Sequence, residues 1–496
     1  MSVFYITTPI YYPNARPHIG HAYTTVFADT LARYHRMIGD DTFFLTGTDE
    51  HGLKLQRAAE KKGVDPKTFV DEMVVYYKEY WKLLNISYDW FIRTTDDYHV
   101  HTVEKMISEL HRKGLLYKDR YSGWYCASCE KYYSETEYEV VDDKPHCPIH
   151  KKPLEWLEEE TYYFKLSEYR DFMLDVLEKT EIVYPKSYAV EVANRLKKEG
   201  LRDVSIARPK ERVSWGVELP FDREYTVYVW FDALLNYISA IGYPDDLQRF
   251  NHYWPAAHHV IGKDILWFHT VIWFSVLKAL DIPLPKKVLV HAFLVNRGIK
   301  MGKSAGNVIS IEYMVDRYGV DGTRYILMRL MNMAKDVDVT QELFDNVYNT
   351  ELADVYGNLI RRVGVLVKRK LKGRLEPTSV EQGIAEAIEN ALDSYSKEME
   401  RFDVSRALGT AIELLRKGNA YVNETKPWQQ SDPSKSLYTL AELIRAATVM
   451  LHPVIPSTTS RTAESFGFPI TTPKELRLGE NGYTVKESPI LFKKTG

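Results

Sequence analysis

Two separate stretches of this chain alternate strand-like and helix-like patterns, and that alternation limits the fold more than any other feature. In the first, VFYITTPIY reads as a strand, and residues 21–38 set Tyr23, Phe27, Thr30, Tyr34 and Ile38 along one helical stripe ending before Gly39. DTFFLTGTD is a short apolar run closed by turn residues, and helical patterns run from about Lys54 and from Pro66 to Leu84. The alternation resumes at YTVYVWFDALLNYISAIG and continues through HHVIGKDILWFHTVIWFSVLKAL and KKVLVHAFLV. Strands joined through helices pair in parallel, because each crossover returns the chain to the same end of the sheet. The expected fold is therefore α/β, a doubly wound parallel-sheet (Rossmann-type) domain in two halves, residues 1–114 and 225–338. Between them, residues 115–224 carry turn residues, short β-like pieces (RYSGWYC, TYYFKL, VSWGVEL) and every cysteine, and read as an insertion. After Asp338, apolar spacings of three and four predict an α-helical bundle over residues 339–496, with a polar C-terminal tail of no clear period.

Composition excludes some functions. The formal net charge is −3, which argues against a general polyanion binder but not against a local basic surface. Such a surface is present between Gly357 and Leu375, where Arg361, Arg362, Lys368, Arg369, Lys370, Lys372 and Arg374 occur without an acid; alone, a run like this is more often a solvated helix face. No apolar run reaches the roughly 20 residues needed to cross a bilayer. The opening MSVFYITTPIYY has no basic flank and reads as a first strand rather than a targeting peptide, so a cytoplasmic location is expected.

Three groups of residues carry chemistry. Pro17-His18-Ile19-Gly20-His21 stands where the first strand turns into the first helix. A helix N-terminus gathers free N–H groups and the positive end of the dipole, so phosphate is attracted there, and two histidines three apart can donate to one phosphoryl group. Gly20 is expected to let a nucleotide approach the backbone. Lys300-Met301-Gly302-Lys303-Ser304 follows the strand KKVLVHAFLV and a short turn, a setting suited to clamping a triphosphate, although lysine pairs in loops are usually just solvated. Cys126-x2-Cys129 and Cys147-x2-His150, with seventeen residues between the pairs, use all three cysteines. Three thiolates and an imidazole make a closed tetrahedral set, so one structural Zn2+ per chain is expected rather than a disulfide or a redox pair.

The histidine and lysine groups resemble the HIGH and KMSKS motifs of class I aminoacyl-tRNA synthetases, in that family's order; Gly302 stands where the family usually has Ser, which bears only on the flexibility of the loop. Around them lie Pro9, Ile10 and Tyr12, then Gly47-Thr48-Asp49-Glu50-His51-Gly52, WFDALLNY at 230–237 and IGKDILWFH at 261–269. These blocks resemble the methionyl-tRNA synthetase family from residue 4 to about residue 430. The resemblance implies that Ile10, Tyr12, Asp49, Trp230, Ala233, Tyr237, Ile265 and His269 contact methionine, with Asp49 meeting its ammonium group. It implies that His18, Gly20, His21, Lys263, Asp264, Lys300 and Lys303 serve ATP and its Mg2+, with His18, His21, Lys300 and Lys303 catalytic. In the helical region it matches Asn358, Arg362 and Trp428 to an anticodon-reading set, which gives the basic run a use against RNA phosphates.

The expected activity is methionine activation by ATP to methionyl-adenylate, followed by transfer to the 3′ end of tRNA(Met). Leucyl, isoleucyl and valyl enzymes of the class carry a large editing domain in the insertion, whereas residues 115–224 are largely taken by the cysteine knuckle. A cysteinyl enzyme would hold substrate thiol on zinc, whereas four protein ligands leave no open position. A nucleotidyltransferase without RNA substrate would not need Asn358, Arg362 and Trp428, and a non-catalytic RNA-binding module would not need the histidine and lysine pairs. A monomer is expected, with a separate tRNA-binding chain as a possible partner.

Overall fold

The structure is a computed structural model that describes residues 2–127, 131–133, 137–149, 151–296, 298–301 and 308–496, with backbone alone at 121, 131, 159 and 300. One 6-stranded sheet organises it: β1 (Val3–Thr7), β2 (Asp41–Thr48), β3 (Trp90–Arg93), β4 (Val183–Tyr184), β5 (Ala257–Gly262) and β6 (Lys287–His291) lie in the order β3-β2-β1-β5-β6-β4. Every neighbouring pair is parallel. Strand β1 shows why the apolar runs hardly alternate: Phe4 and Ile6 enter one core and Tyr5 the other, so both faces are covered. The strand order reverses between β1 and β5, the point at which doubly wound sheets leave a crevice at their carboxyl ends.

Helix α1 (Ile19–Met37) follows β1, and the helices Leu53–Lys62 and Pro66–Leu83 follow β2. Residues 115–224 do not all stand apart from the sheet, because β4 lies within that span and pairs with β6, Val183 beside Val288. A two-residue strand between helices carries no period for a sequence to display. The rest of that span includes a long antiparallel ribbon, Leu116–Cys126 against Glu155–Phe164, with Lys131–Tyr133 and a hairpin of Glu139–Val141 and Lys144–His146 at its far end, and then the helices Arg170–Lys179 and Lys186–Glu199 and a small sheet of Ala207–Pro209, Glu218–Leu219 and Asp222–Val227.

Helix α2 (Val229–Leu234) begins the return to the sheet, and α3 (Ile311–Arg329) leads away from it with a kink at Gly319, whose φ of 71° suits glycine. The bundle consists of α4 (Asn358–Leu371), α5 (Gln382–Glu400), α6 (Val404–Thr425), α7 (Ser434–Leu451) and α8 (Pro456–Phe466). It shares one continuous core with the outer face of α1, where Tyr34 meets Tyr395 edge-on at 6.0 Å. The fully buried Arg324 fastens the same junction, donating to Asp29 of α1 at 2.7 Å and to the Val454 carbonyl at 2.7 Å. The tail is ordered by this surface rather than by its own pattern: Tyr483–Thr484 pairs with Arg374–Leu375, and Phe492 packs against Tyr348 and Tyr356. Among the described residues no helix is long and apolar enough to cross a membrane.

Candidate active site

A cavity of about 760 Å³ opens at the carboxyl ends of β1, β2, β5 and β6, at the reversal of strand order. At one end lies the start of α1. The Gly20 backbone N–H donates to His18 Nδ1 at 3.0 Å, and the His18 backbone N–H donates to His21 Nδ1 at 3.1 Å. A backbone N–H can only donate, so both Nδ1 atoms accept and each neutral ring carries its proton on Nε2. The rings lie 4.1 Å apart. Gly20 serves this arrangement directly, since a Cβ there would come within 2.8 Å of His18 Cε1. Thus the nearest occupant of the space left by this glycine is the imidazole.

At the other end the eight residues matched to methionine contact all line the same cavity: Ile10, Tyr12, Asp49, Trp230, Ala233, Tyr237, Ile265 and His269. Tyr237 and His269 are fully enclosed and bonded to each other at 2.7 Å. Nδ1 of His269 faces the Ile265 carbonyl at 3.0 Å and must donate, so Nε2 accepts the Tyr237 hydroxyl proton. Burial pushes the His269 imidazole down to about 4 and the Tyr237 hydroxyl up, so both are neutral at pH 7. Trp230 stacks on Phe268 at 3.9 Å and 8° and meets His269 edge-on. The helix carrying Ile265 and His269 is irregular, a 3-10 turn at Lys263–Ile265 followed by a π-turn at Phe268–Ile272, yet the spacing of four still brings the two together. Asp49 is buried at the end of β2, its N–H bonded to the Tyr11 carbonyl at 2.9 Å.

The remaining residues matched to ATP by the resemblance divide. Asp264 lines the cavity, and Gly262 before it has no room for a side chain, a Cβ there falling 2.8 Å from Asp264 Oδ1. Lys263 turns to Asp336 at 2.8 Å and lies over the Phe293 ring at 4.9 Å. Lys300 ends the strand Ile299–Lys300, while its side chain, together with Gly302, Lys303 and Ser304, lies outside the described residues. Met301 is buried and forms part of the cavity wall, a role the lysine motif alone did not announce.

Several contributors were not legible as motifs. His291 bonds Thr24 of α1 at 2.9 Å, and both line the cavity. Glu50 is buried under a two-point contact from Arg93, at 2.7 and 2.8 Å. Asp232 accepts from His51 at 2.7 Å and from His99 at 2.9 Å. Each group joins residues far apart in sequence, and no local spacing marks them. At the mouth, Tyr133, Pro148 and Ile149 of the ribbon's far end reach the cavity. Cys126 and Cys147 are both buried there in one cluster with Tyr133 and Leu154, and the Cys147 turn is closed by bonds to residues 151 and 152. Cys129 and His150 lie outside the described residues.

Away from the cavity, Asn358 and Arg362 stand one turn apart on α4, and Trp428 follows α6. The Arg362 guanidinium sits 4.8 Å from the Trp428 ring centre and donates to Asn423 Oδ1 at 2.7 Å, while Asn358 donates to Asp354 at 3.4 Å. Asn423 is an addition from the structure. Asn358 and Trp428 are exposed, as are Arg361, Lys368, Arg369 and Lys370 along the same helix.

The chain is similar to proteins of known identity. The family model "tRNA synthetases class I (M)" matches residues 4–152 and 136–364, and the model "Anticodon-binding domain of tRNA ligase" matches residues 381–488. Methionine--tRNA ligase of Thermotoga maritima is 43% identical over 86% of this chain and 68% of its own length. That of Caldanaerobacter subterraneus is 42% identical over 99% of this chain and 78% of its own. Methionyl-tRNA synthetase of Mycobacterium tuberculosis in complex with methionyl-adenylate is similar with a TM-score of 0.94, at 33% identity, over 99% of this chain and all of that one. The free-state form of that enzyme gives 0.84 at 31% identity, over 100% of this chain and 98% of that one. This chain belongs to the methionine--tRNA ligases, within the class I tRNA synthetases.

Proposed function

We propose that the cavity between β1 and β5 is where this methionine--tRNA ligase brings methionine and ATP together, with each end doing separate work. The observation that carries the reading is the meeting, in one cavity, of two Nε2–H donors at a helix N-terminus with an aromatic recess closed by a buried carboxylate. Trp230, Ala233, Tyr237, Ile265 and His269, with Ile10 and Tyr12, enclose the thioether, and Asp49 meets the α-ammonium. The neutrality of His269 and Tyr237 suits an uncharged side chain, since burying a charge against it would be costly.

In the first step the methionine carboxylate attacks the α-phosphate of ATP and pyrophosphate leaves. The carboxylate is already an anion, so no protein base is needed, and catalysis is positioning plus stabilisation of phosphate charge. His18 and His21 donate from Nε2 to phosphate oxygens, Gly20 keeps their geometry, Asp264 holds the nucleotide with Lys263 once its ammonium leaves Asp336, and Lys300 and Lys303 clamp the leaving phosphates. Mg2+ bound to ATP as part of that substrate would supply further neutralisation of the phosphate charge. In the second step the terminal ribose hydroxyl of tRNA(Met) attacks the activated carbonyl and loses its proton, the mixed-anhydride C–O bond breaks, and AMP leaves.

Cys126, Cys129, Cys147 and His150 would hold a structural Zn2+; burial of two of the thiols in one cluster supports this, and the ion would fasten the ribbon tip at the mouth of the cavity. Residues 1–114 and 225–338, with β4 from within 115–224, form the catalytic part, the remainder of 115–224 the insertion and 339–496 the RNA-reading part, with Asn358, Arg362 and Trp428 meeting the anticodon. ATP–pyrophosphate exchange with each of the twenty amino acids tests the assignment. Exchange with methionine alone supports the recess, and exchange with another amino acid contradicts it.

A further inference from the structure

Asp232 occupies the position on α2 between Trp230 and Ala233, both of which line the cavity, and is itself 1% exposed. Its two oxygens are divided between two imidazoles: Oδ2 lies 2.7 Å from His51 Nδ1, and Oδ1 lies 2.9 Å from His99 Nε2. A carboxylate only accepts, so both nitrogens donate. On the far side of His99, Nδ1 is 2.8 Å from Ser239 Oγ. Burial alone would raise the Asp232 carboxyl, but His51 and His99 hold it down to about 2, so it is ionised at pH 7.

His51 closes the run Asp49–Glu50–His51 at the end of β2. That run is pinned on its outer side by Glu50, which accepts from Arg93, Thr48 and Thr95. The His51–Asp232 bond crosses from this loop to α2, joining two walls of the cavity, the one that carries Asp49 and the one that carries Trp230 and Ala233. We propose that Asp232, acting through His51 and braced by His99, is a positioning residue that sets the Asp49 carboxylate relative to α2 and so governs recognition of the substrate's α-ammonium group. Misplacing a contact of this kind by about 1 Å is costly, because an enclosed site has no water to compensate for it. An amide at position 232 would offer one accepting and one donating group to two donors, so one histidine would lose its bond or change its tautomer.

The inference rests on Asp49 meeting the ammonium, and the test separates the two claims. Asp232→Asn is compared with the unaltered protein for binding of methionine, of methioninol, which keeps the ammonium, and of 4-(methylsulfanyl)butanoate, which lacks it. Methionine and methioninol weaken about tenfold, while the butanoate and the KM for ATP stay within about twofold. Asp49→Asn combined with Asp232→Asn loses no more than Asp49→Asn alone, because both act through one carboxylate. Equal weakening of all three ligands, additive losses, or no change in methionine binding overturns the proposal. An unchanged methionine affinity in Asp49→Asn instead contradicts the underlying role of Asp49. Should Asp232→Asn not fold, His99→Ala shifts the same two ligands by about threefold and His99→Gln, which keeps a donor facing Asp232, restores them; equal effects of the two overturn the proposal.

Discussion

In the cavity, the side chains proposed to meet the amino acid are themselves held: Tyr237 by His269, His269 by the Ile265 carbonyl, Trp230 by the ring of Phe268. On α4 the arrangement is looser. Asn358 and Trp428 stand exposed, and Arg362 is held by one amide and the face of an indole. The two regions therefore draw on different physics. An enclosed, dry recess gains specificity because a wrong ligand leaves buried groups unpaired, and it responds little to salt. An exposed aromatic beside a row of cations gains affinity through stacking and counterion release, both of which tolerate some movement. The shared core at Tyr34, Tyr395 and Arg324 fixes the two regions in one body, so each can be altered without detaching the other.

The largest effect is expected where transition-state charge is met. His21→Ala lowers the methionine-dependent exchange rate by about 10²–10³-fold, the cost of losing one preorganised donor, while methionine binding measured without ATP stays within about twofold. Comparable losses in binding and rate would mean that the two ends of the cavity are not separate. Next in size is Trp428→Ala. Loss of one stacking platform, at about 1–3 kcal/mol, lowers kcat/KM for tRNA by roughly 10–100-fold with exchange unaltered.

Acid should act wherever imidazoles are buried, in the bundle as well as the recess, since burial also holds His452 at the end of α7 to about 4. Burial holds His258 to about 3 and His269 to about 4, below the 6.5 of an ordinary imidazole. Between those values the unfolded chain takes up protons that the folded chain refuses. Stability is thus complete above about pH 6.5 and falls by about 1.4 kcal/mol per pH unit for each histidine as pH drops toward 4. Asp232, held near 2, adds a separate loss only below its unfolded value of 3.8. Denaturant unfolding at pH 7 and pH 5 checks the direction; higher stability at pH 5 would contradict it. An effect no larger than that of Trp428→Ala is expected from Tyr237→Phe, which leaves His269 Nε2 without its donor and costs about 1–3 kcal/mol in stability, seen as a lower melting temperature, with a matching rise in KM for methionine. An unchanged KM would place Tyr237 in the core alone.

How much of this could be read from the sequence differs between the same two regions. Pro17–His21 was legible because the junction of strand and helix is local and the histidines act on neighbouring backbone N–H groups. The walls of the recess were legible through Asp49, WFDALLNY and IGKDILWFH, short blocks that each lie at the end of one sheet crossover. Asp232 was not, since its partners His51 and His99 come from two other elements and a lone buried histidine has no sequence signature. Strand β4 and the tail were missed for a related reason: their order comes from the surface they pair with, Lys287–His291 in one case and Arg374–Leu375 in the other. Lys263 shows the converse, a residue matched to ATP whose ammonium, in this structure, is already paired with Asp336. The Arg362–Trp428 contact joins two positions of the set matched to anticodon reading that lie far apart in sequence, and Asn423 beside them had no marker at all.

The division between the two regions is tested most directly by assaying Trp428→Ala for exchange and for tRNA charging over a series of salt concentrations. The account predicts full exchange at every salt concentration, with charging reduced at all of them and falling more steeply with salt than exchange does. Loss of exchange in step with charging would contradict it, and would mean that the helical face supports the chemistry of the cavity itself.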